Sequence, residues 1–401
     1  MKKRRIYLDY AAATPLNPST LRSMLPFLKN AYGNPSSIHE EGRIAKKAIM
    51  KARADVARIL HVHDDEIIFT GSGTESVALA IHGILTLFPK KHIITSTIEH
   101  PAALENIRMF EQKNYPVSYV SVSKEGTIHM EDIKKSIRPE TVFISIMYAN
   151  NEIGSVQPIK DIAKIVKNER MRRLNNNETL PVWLHTDACQ AAGYLDINIL
   201  RLHTDLFTLN GSKIYGPKGV GVLYKSREVS FNPFWKGGGQ ENTLRSGTEN
   251  VAGIVGIAHA LTEIEKNKEK EVRRLSILQD YFIKTITQKI PEARITLSSI
   301  EKGGKLPHIV HVMFPNRNGE ILAIYLDNEG IAVSSQSACA TTTDHPSHVM
   351  IGLGRSEKEA RESIRFSFGK YTTKKDIDCV LRALSRILVL LEKMPSDTLV
   401  K

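Results

Sequence analysis

The stretch WLHTDACQAAGYLDINILRLHTDLFTLNGSKIYGPKG, residues 183–219, constrains the fold more than any other part of the chain. Val182-Trp183-Leu184-His185 is a short apolar run ending in Asp187. Asp205-Leu206-Phe207-Thr208-Leu209 is a second run, ending in Asn210-Gly211-Ser212-Lys213. Apolar runs this short, closed by glycine and polar residues, read as buried strands. Each delivers one charged side chain at its C-terminal end, an acid from the first and a lysine from the second. In open α/β sheets ligands bind at such strand ends.

An aspartate and a lysine placed this way suit pyridoxal 5'-phosphate (PLP). That cofactor needs a lysine for its Schiff base and an acid to keep the pyridine nitrogen protonated. A structural aspartate and a solvated lysine fit the same pattern. The glycine-rich turn GSKIYGPKG, directly after a strand, favours the functional reading.

Strand–helix alternation over residues 60–225 predicts a largely parallel sheet with helices on both faces. Three further turns fall at C-terminal strand ends. Gly71-Ser72-Gly73-Thr74-Glu75-Ser76 opens a helix and is a candidate anion site, because free backbone N–H groups and the helix dipole point there. Serine and threonine also cap helices for purely structural reasons. Ile98-Glu99-His100-Pro101 puts His100 at a strand-to-helix junction. Asn150-Asn151 ends a third strand, where amides serve as turn formers or ligand contacts. A charge-rich helix over 251–290 reads as a connector. Beyond it, strands at 294–297, 309–314 and 332–334 and helices at 319–329, 357–363 and 375–393 predict an α+β domain. The expected division is a large α/β domain over 16–260 and a small domain from 1–15 plus 261–401.

Composition excludes several classes. No run of 18 or more apolar residues is present, so no membrane span is expected. The basic start MKKRR lacks the apolar stretch of a secretory signal, and cytoplasm is the expected location. The formal net charge is +12, but the lysines are scattered, and no direct nucleic-acid contact is expected. The three cysteines, Cys189, Cys339 and Cys379, lack CxxC spacing, which argues against a disulfide framework or a metal site. Cys339 lies among small polar residues in SSQSACA and reads as an exposed, reactive thiol. Cys379 lies in an apolar helical pattern and is expected in the core; Cys189 is expected to be structural.

Together these residues resemble the cysteine desulfurases of the NifS/IscS type, in the class V aminotransferase group of fold-type I PLP enzymes. The resemblance runs in order through YLDYAAATP, GNPSSIH, FTGSGTES, IEHPA, NNEIGSVQPI, HTDACQAAG, GSKIYGPKGVG, GGGQE with RSGTEN, SSQSACA and SIRFSFGK. It implies a large, mainly parallel-sheet domain, with the small α+β domain carrying the catalytic cysteine loop. It implies that Lys213 is the Schiff-base lysine, Asp187 the pyridinium partner and Gln190 the contact to the ring hydroxyl. His100 stacks on the ring as a candidate acid/base. Gly73, Thr74, Asn210 and Ser212 belong to the phosphate site. Thr248 reaches the phosphate of a neighbouring subunit, hence a homodimer. Asn151, also beside the cofactor, and Arg365 hold the substrate carboxylate, and Cys339 is the nucleophile.

The implied reaction converts L-cysteine to L-alanine and leaves the sulfur as a persulfide on Cys339. The sulfur then passes to an acceptor, an iron–sulfur scaffold protein or a tRNA-thiolating enzyme. A selenocysteine lyase, another class V aminotransferase or lyase, and an inactive binding partner in iron–sulfur assembly are the alternatives. The presence of Lys213, Asp187, His100, Arg365 and Cys339 argues against the last. Two departures from the family pattern stand out. Asn210-Gly211-Ser212-Lys213 replaces Ser-x-His-Lys, which predicts weaker cofactor retention, and Gln336 replaces a glycine three before the nucleophile. Residues 168–179 look like a small insertion.

Overall fold

Twelve strands order the described residues of this computed structural model, which describes residues 5–297, 304–335 and 346–392. In chain order they are β1 (Ile6–Tyr7), β2 (Ile67–Thr70), β3 (His92–Ser96), β4 (Val117–Val120), β5 (Thr141–Ser145) and β6 (Trp183–Asp187). There follow β7 (Leu206–Asn210), β8 (Gly221–Lys225), β9 (Arg294–Ile295), β10 (Ile309–Met313), β11 (Ile331–Ala332) and β12 (Ser363–Ser367). The chain divides into two compact units. The larger comprises Thr14–Asn150 and Val156–Lys268; the smaller comprises Met1–Ala13, Asn151–Ser155 and Glu269–Lys401. Residues 151–155 lie inside the 16–260 span yet group with the smaller unit. The cause is local: Leu306 N–H donates to the Gly154 carbonyl at 2.8 Å, and Ser155 bridges Lys305.

The larger unit holds a seven-stranded sheet in the order β2-β8-β7-β6-β5-β3-β4. β8 runs antiparallel to both neighbours, and every other pair is parallel. All residues of β2, β3 and β5 are buried, as expected where helices cover both faces. Ile68, Val77, Ile81, Ile84, Phe110, Phe143 and Leu206 share one core cluster. Each fully buried aliphatic side chain there stabilises the fold by about 1.5–3 kcal/mol. Because β2, β3, β5, β6 and β7 are parallel, their C-terminal ends lie on one edge of the sheet. The charged ends seen in the sequence therefore share an edge.

The smaller unit holds an antiparallel sheet, β12-β10-β9, and the parallel pair β1-β11. Phe282 packs on Phe366 and Phe368, with ring centroids 5.0 and 5.5 Å apart. The helix Lys374–Glu392 buries Ile377, Val380, Leu381, Leu384, Ile387, Leu388 and Leu391, a spacing of three and four residues that makes one apolar face.

Two expectations are corrected here. The helix expected over 357–363 stops at Arg361, and Ser363–Ser367 is a strand instead. Its residues pair one to one with β10, including His311 opposite Arg365, so a partner distant in sequence overrides the local helical pattern. Cys379 is exposed rather than in the core. It lies one step of about 100° from Val380 on the helix, outside the apolar face.

Candidate active site

The turn after β6 begins at Asp187, which is 8% exposed. Its Oδ1 accepts the Cys189 N–H at 2.9 Å, and this bond turns the chain at the strand end. Gln190, one residue further, is also buried. On the adjacent strand, β7 runs into a 3-10 turn, Gly211–Lys213, capped by Asn210. Asn210 Oδ1 accepts both the N–H and the hydroxyl of Ser212, each at 3.2 Å. The two residues that depart from the family pattern therefore hold one another. Thr14 clamps the same turn from outside. Its N–H and hydroxyl donate to the Ser212 carbonyl at 2.9 Å, and its Oγ1 accepts the Tyr215 N–H at 2.7 Å. Lys213 thus leaves a turn fixed by Asn210 from within and by Thr14 from outside.

Gly73 marks where the β2 turn meets these two. A Cβ at Gly73 would sit 2.8 Å from Cys189 Sγ and 3.0 Å from Asn210 Cβ, so only bare backbone is accommodated. Gly73 also starts the helix Gly73–Leu85, where Ser72 accepts the Glu75 N–H. Glu75 in turn accepts the Gly71 N–H at 2.8 Å and Arg245 Nε at 2.7 Å. Thr74, on the first turn, is exposed. Thr248, also exposed, lines a small cavity with Thr70, Gly71 and Arg245. His100 caps the helix Pro101–Glu111, its Nδ1 accepting the Ala102 N–H at 3.1 Å, and Pro101 occupies the first helical position. A neutral His100 ring so bonded carries its proton on Nε2.

Behind this edge, burial keeps titratable groups neutral. Glu99 is fully buried, and its carboxyl is pushed up to about 8 by desolvation. It still accepts from the Ser96 hydroxyl at 2.6 Å and the Met147 N–H at 2.9 Å, tying the β3 and β5 ends together. His185 is pushed down to about 4 by burial and lies between the Ser145 and Thr208 hydroxyls at 2.9 and 3.0 Å. Burial, and then Asp187, raises the Cys189 thiol well above its usual range, so this cysteine is held as a thiol. The edge thus sets one buried acid, Asp187, and one lysine, Lys213, beside a helix N-terminus and against a neutral backing.

The smaller unit builds a separate cluster around Arg365, which is 2% exposed. Its Nη1 donates to the Asn151 carbonyl at 2.7 Å and its Nη2 to Asp9 Oδ1 at 2.8 Å. Arg365 and Ser334 exchange main-chain bonds, Arg365 N–H to Ser334 O at 2.7 Å and Ser334 N–H to Arg365 O at 3.3 Å. Ser347 Oγ donates to the buried Glu152 at 2.5 Å. The two serines flank residues 336–345. Both flanks of that segment are therefore anchored beside Asn151 and Arg365. Cys339 and Gln336 themselves lie outside the described residues.

Lys213, Asp187, Gly73, Asn210 and Ser212 are drawn together in the larger unit, and Asn151 and Arg365 in the smaller. Sequence reasoning missed Asp9, Thr14, Glu99 and His185. Asp9 and Thr14 stand in the motif YLDYAAATP, and Glu99 precedes His100 in IEHPA.

The class V aminotransferase model matches residues 6–380. The cysteine desulfurase IscS of Dictyoglomus turgidum is 42% identical over 388 residues, covering 96% of this chain and 95% of the relative. Among solved structures, a NifS-like protein matches with a TM-score of 0.87 and 34% identity, over 96% of this chain and all of that one. SspA in complex with cysteine matches with a TM-score of 0.75 and 32% identity, over 92% of this chain and all of that one. The chain belongs to the class V aminotransferase family.

Proposed function

We propose that this chain is a PLP-dependent cysteine desulfurase, which converts L-cysteine to L-alanine and carries the sulfur as a persulfide on Cys339. The observation that carries the reading is the anchoring of Ser334 and Ser347 to the Arg365–Asn151–Glu152 cluster. It anchors the two flanks of residues 336–345, the stretch that contains Cys339, beside an arginine suited to an amino-acid carboxylate. Relatives named cysteine desulfurase support the same activity.

PLP suits the residues present. The helix N-terminus at Gly73 and Thr74 would cradle its phosphate. Asp187 would hold the pyridine nitrogen, Gln190 the ring hydroxyl, and Lys213 the aldehyde carbon. When bound, the cofactor supplies the electron sink for cleavage at the amino-acid carbons. Lys213 Nζ takes the Cα proton, with His100 as the second candidate base. Arg365 fixes the substrate carboxylate. The Cys339 thiolate attacks the substrate sulfur, so an S–S bond forms as the Cβ–S bond breaks. The bonding pair stays with carbon, which gains a proton and becomes the methyl group of alanine. Asn210 and Ser212 spend hydrogen-bonding capacity on each other, which supports weaker cofactor retention than a histidine donor would give. Dialysis of the loaded protein beside Ser212→His checks this through loss of the cofactor absorbance.

Self-association as a homodimer is part of the proposal, with Thr248 reaching the neighbouring subunit's phosphate. Support comes from apolar side chains exposed along 21–50, namely Leu21, Leu28, Tyr32, Ile38, Ile44 and Met50. The sulfur acceptor is a protein, an iron–sulfur scaffold or a tRNA-thiolating enzyme. Mass spectrometry after incubation with L-cysteine, without reductant, tests the nucleophile. One added sulfur atom on the peptide containing Cys339 is expected. Alanine formation with no sulfur on that peptide would overturn the assignment.

A further inference from the structure

The N-terminal motif YLDYAAATP contributes a residue that the reaction scheme leaves unused. β1 pairs with β11, Ile6 opposite Ile331 and Tyr7 opposite Ala332. Two residues beyond these pairs lie Asp9 and Ser334. Asp9 also bridges β12 at Ser367, and its carbonyl accepts the Ala12 N–H at 3.1 Å. Its position is therefore set by main-chain bonds, and its carboxylate lies 2.8 Å from Arg365 Nη2. The Arg365 side chain is 3% exposed and that of Asp9 18%.

The histidines and the tyrosine packed around this pair carry no negative charge, and the nearby carboxylate of Glu152 is engaged by the Ser347 hydroxyl. His311, opposite Arg365 on β10, is pushed down to about 3 by burial and by Arg365, and bonds to Thr296 Oγ1 at 2.7 Å. His308 is likewise pushed down to about 3. Tyr7, beside Asp9, is pushed up to about 12 by burial and then by Asp9, so it stays a neutral phenol, bonded to the Ala13 carbonyl. A guanidinium this buried needs a counter-charge. Arg365 Nε is buried and has no hydrogen-bond partner among the described residues. One edge of the fork is thus taken by Asp9, while a donor remains for another anion.

From this geometry we propose that Asp9 is the resting counter-ion of Arg365. It sets the affinity of the site for carboxylates by competing with them for the same positive charge. The inference rests on the assignment of Arg365 as the carboxylate-binding residue. Asp9 acts through Arg365 and is a specificity-determining residue rather than a catalytic one. Its weak exposure keeps the pair strong enough to hold the arginine in place. Its one hydrogen bond to Arg365 among the described residues leaves the pair weak enough to yield to an amino-acid carboxylate.

The test uses the PLP-loaded protein and two carboxylate probes, L-alanine and propionate. Their inhibition constants against L-cysteine are measured in the wild type, Asp9→Asn, Asp9→Glu and Arg365→Gln. Asp9→Asn is expected to bind both probes on the order of tenfold more tightly, with KM for L-cysteine falling and kcat changing less. Asp9→Glu, which restores the charge, is expected to return toward the wild type. Arg365→Gln is expected to lose propionate affinity. Unchanged or weaker probe binding in Asp9→Asn, while Arg365→Gln weakens it, overturns the role of Asp9 alone. Undiminished probe binding in Arg365→Gln overturns the arginine assignment and the Asp9 role with it. If Asp9→Asn is unfolded alone, added propionate is expected to recover its thermal transition by supplying the missing counter-charge, and no recovery counts against the proposal.

Discussion

The strand-end edge of the larger unit and the arginine cluster of the smaller one both bury neutral groups but differ in the charges they keep. At the edge, burial removes charge: Glu99 is raised, His185 is lowered and Cys189 is held as a thiol. In the cluster, a buried charge is kept and paired, Arg365 with Asp9. The difference follows from what each region is proposed to hold. A cofactor that carries its own charges needs a rigid, mostly neutral backing around one acid and one lysine. A substrate carboxylate needs a cation that stays charged at every working pH, and arginine meets that condition. One motif serves both: Thr14 braces the Lys213 turn, and Asp9 faces Arg365.

The largest expected effect lies at the edge. Lys213→Ala should lower L-cysteine turnover on the order of a thousandfold or more and abolish the absorbance band of lysine-linked PLP. Turnover retained with the band lost would move the base to His100. In the cluster, Arg365→Gln should raise KM for L-cysteine about a hundredfold, the size expected for losing a charged, bidentate carboxylate contact. A fall in kcat with KM unchanged would place the arginine's contribution in the transition state instead.

The neutral backing makes its own prediction about pH. Glu99 has its folded value raised from 4.5 to about 8. Between those values the folded protein keeps a proton that the unfolded chain has lost. Stability from this group is therefore full below about 4.5 and declines as pH rises through about 8, by a few kcal/mol at most. Glu99→Gln mimics the neutral carboxyl and should flatten that part of a denaturant-derived stability profile. An unchanged slope would show the carboxyl to be ionised in the fold. His185, lowered from 6.5 to about 4, contributes the opposite slope, with stability lost as pH falls through that interval. The smallest effect is steric. Gly73→Ala should cost about 1–3 kcal/mol, because its Cβ would press on Cys189 Sγ and Asn210. An accompanying loss of PLP affinity would sharpen the cradle assignment, and unchanged affinity would break it.

How far the sequence was legible follows the same division. The edge is built from contiguous strand–turn units, so Asp187, Lys213 and Gly73 could be placed from local patterns alone. The cluster is built from pairings across the chain. Asp9 and Arg365 are 356 residues apart, and no periodicity near either announces the other. β12 was hidden for the same reason: Ser363–Ser367 becomes a strand through its register with β10, not through its neighbours in sequence. Glu99 is not legible because a glutamate beside His100 reads as a solvated acid, while its bond to Met147 forms across the fold.

The most direct test of the desulfurase reading is one assay of the purified protein with PLP, L-cysteine and a reductant, with Cys339→Ser alongside. Alanine and sulfide should appear in equal amounts in the wild type, and both should vanish in the variant. Alanine and sulfide surviving in Cys339→Ser would contradict the account and point to release of the sulfur directly to the added reductant without a protein persulfide, as a selenocysteine lyase would not need this cysteine.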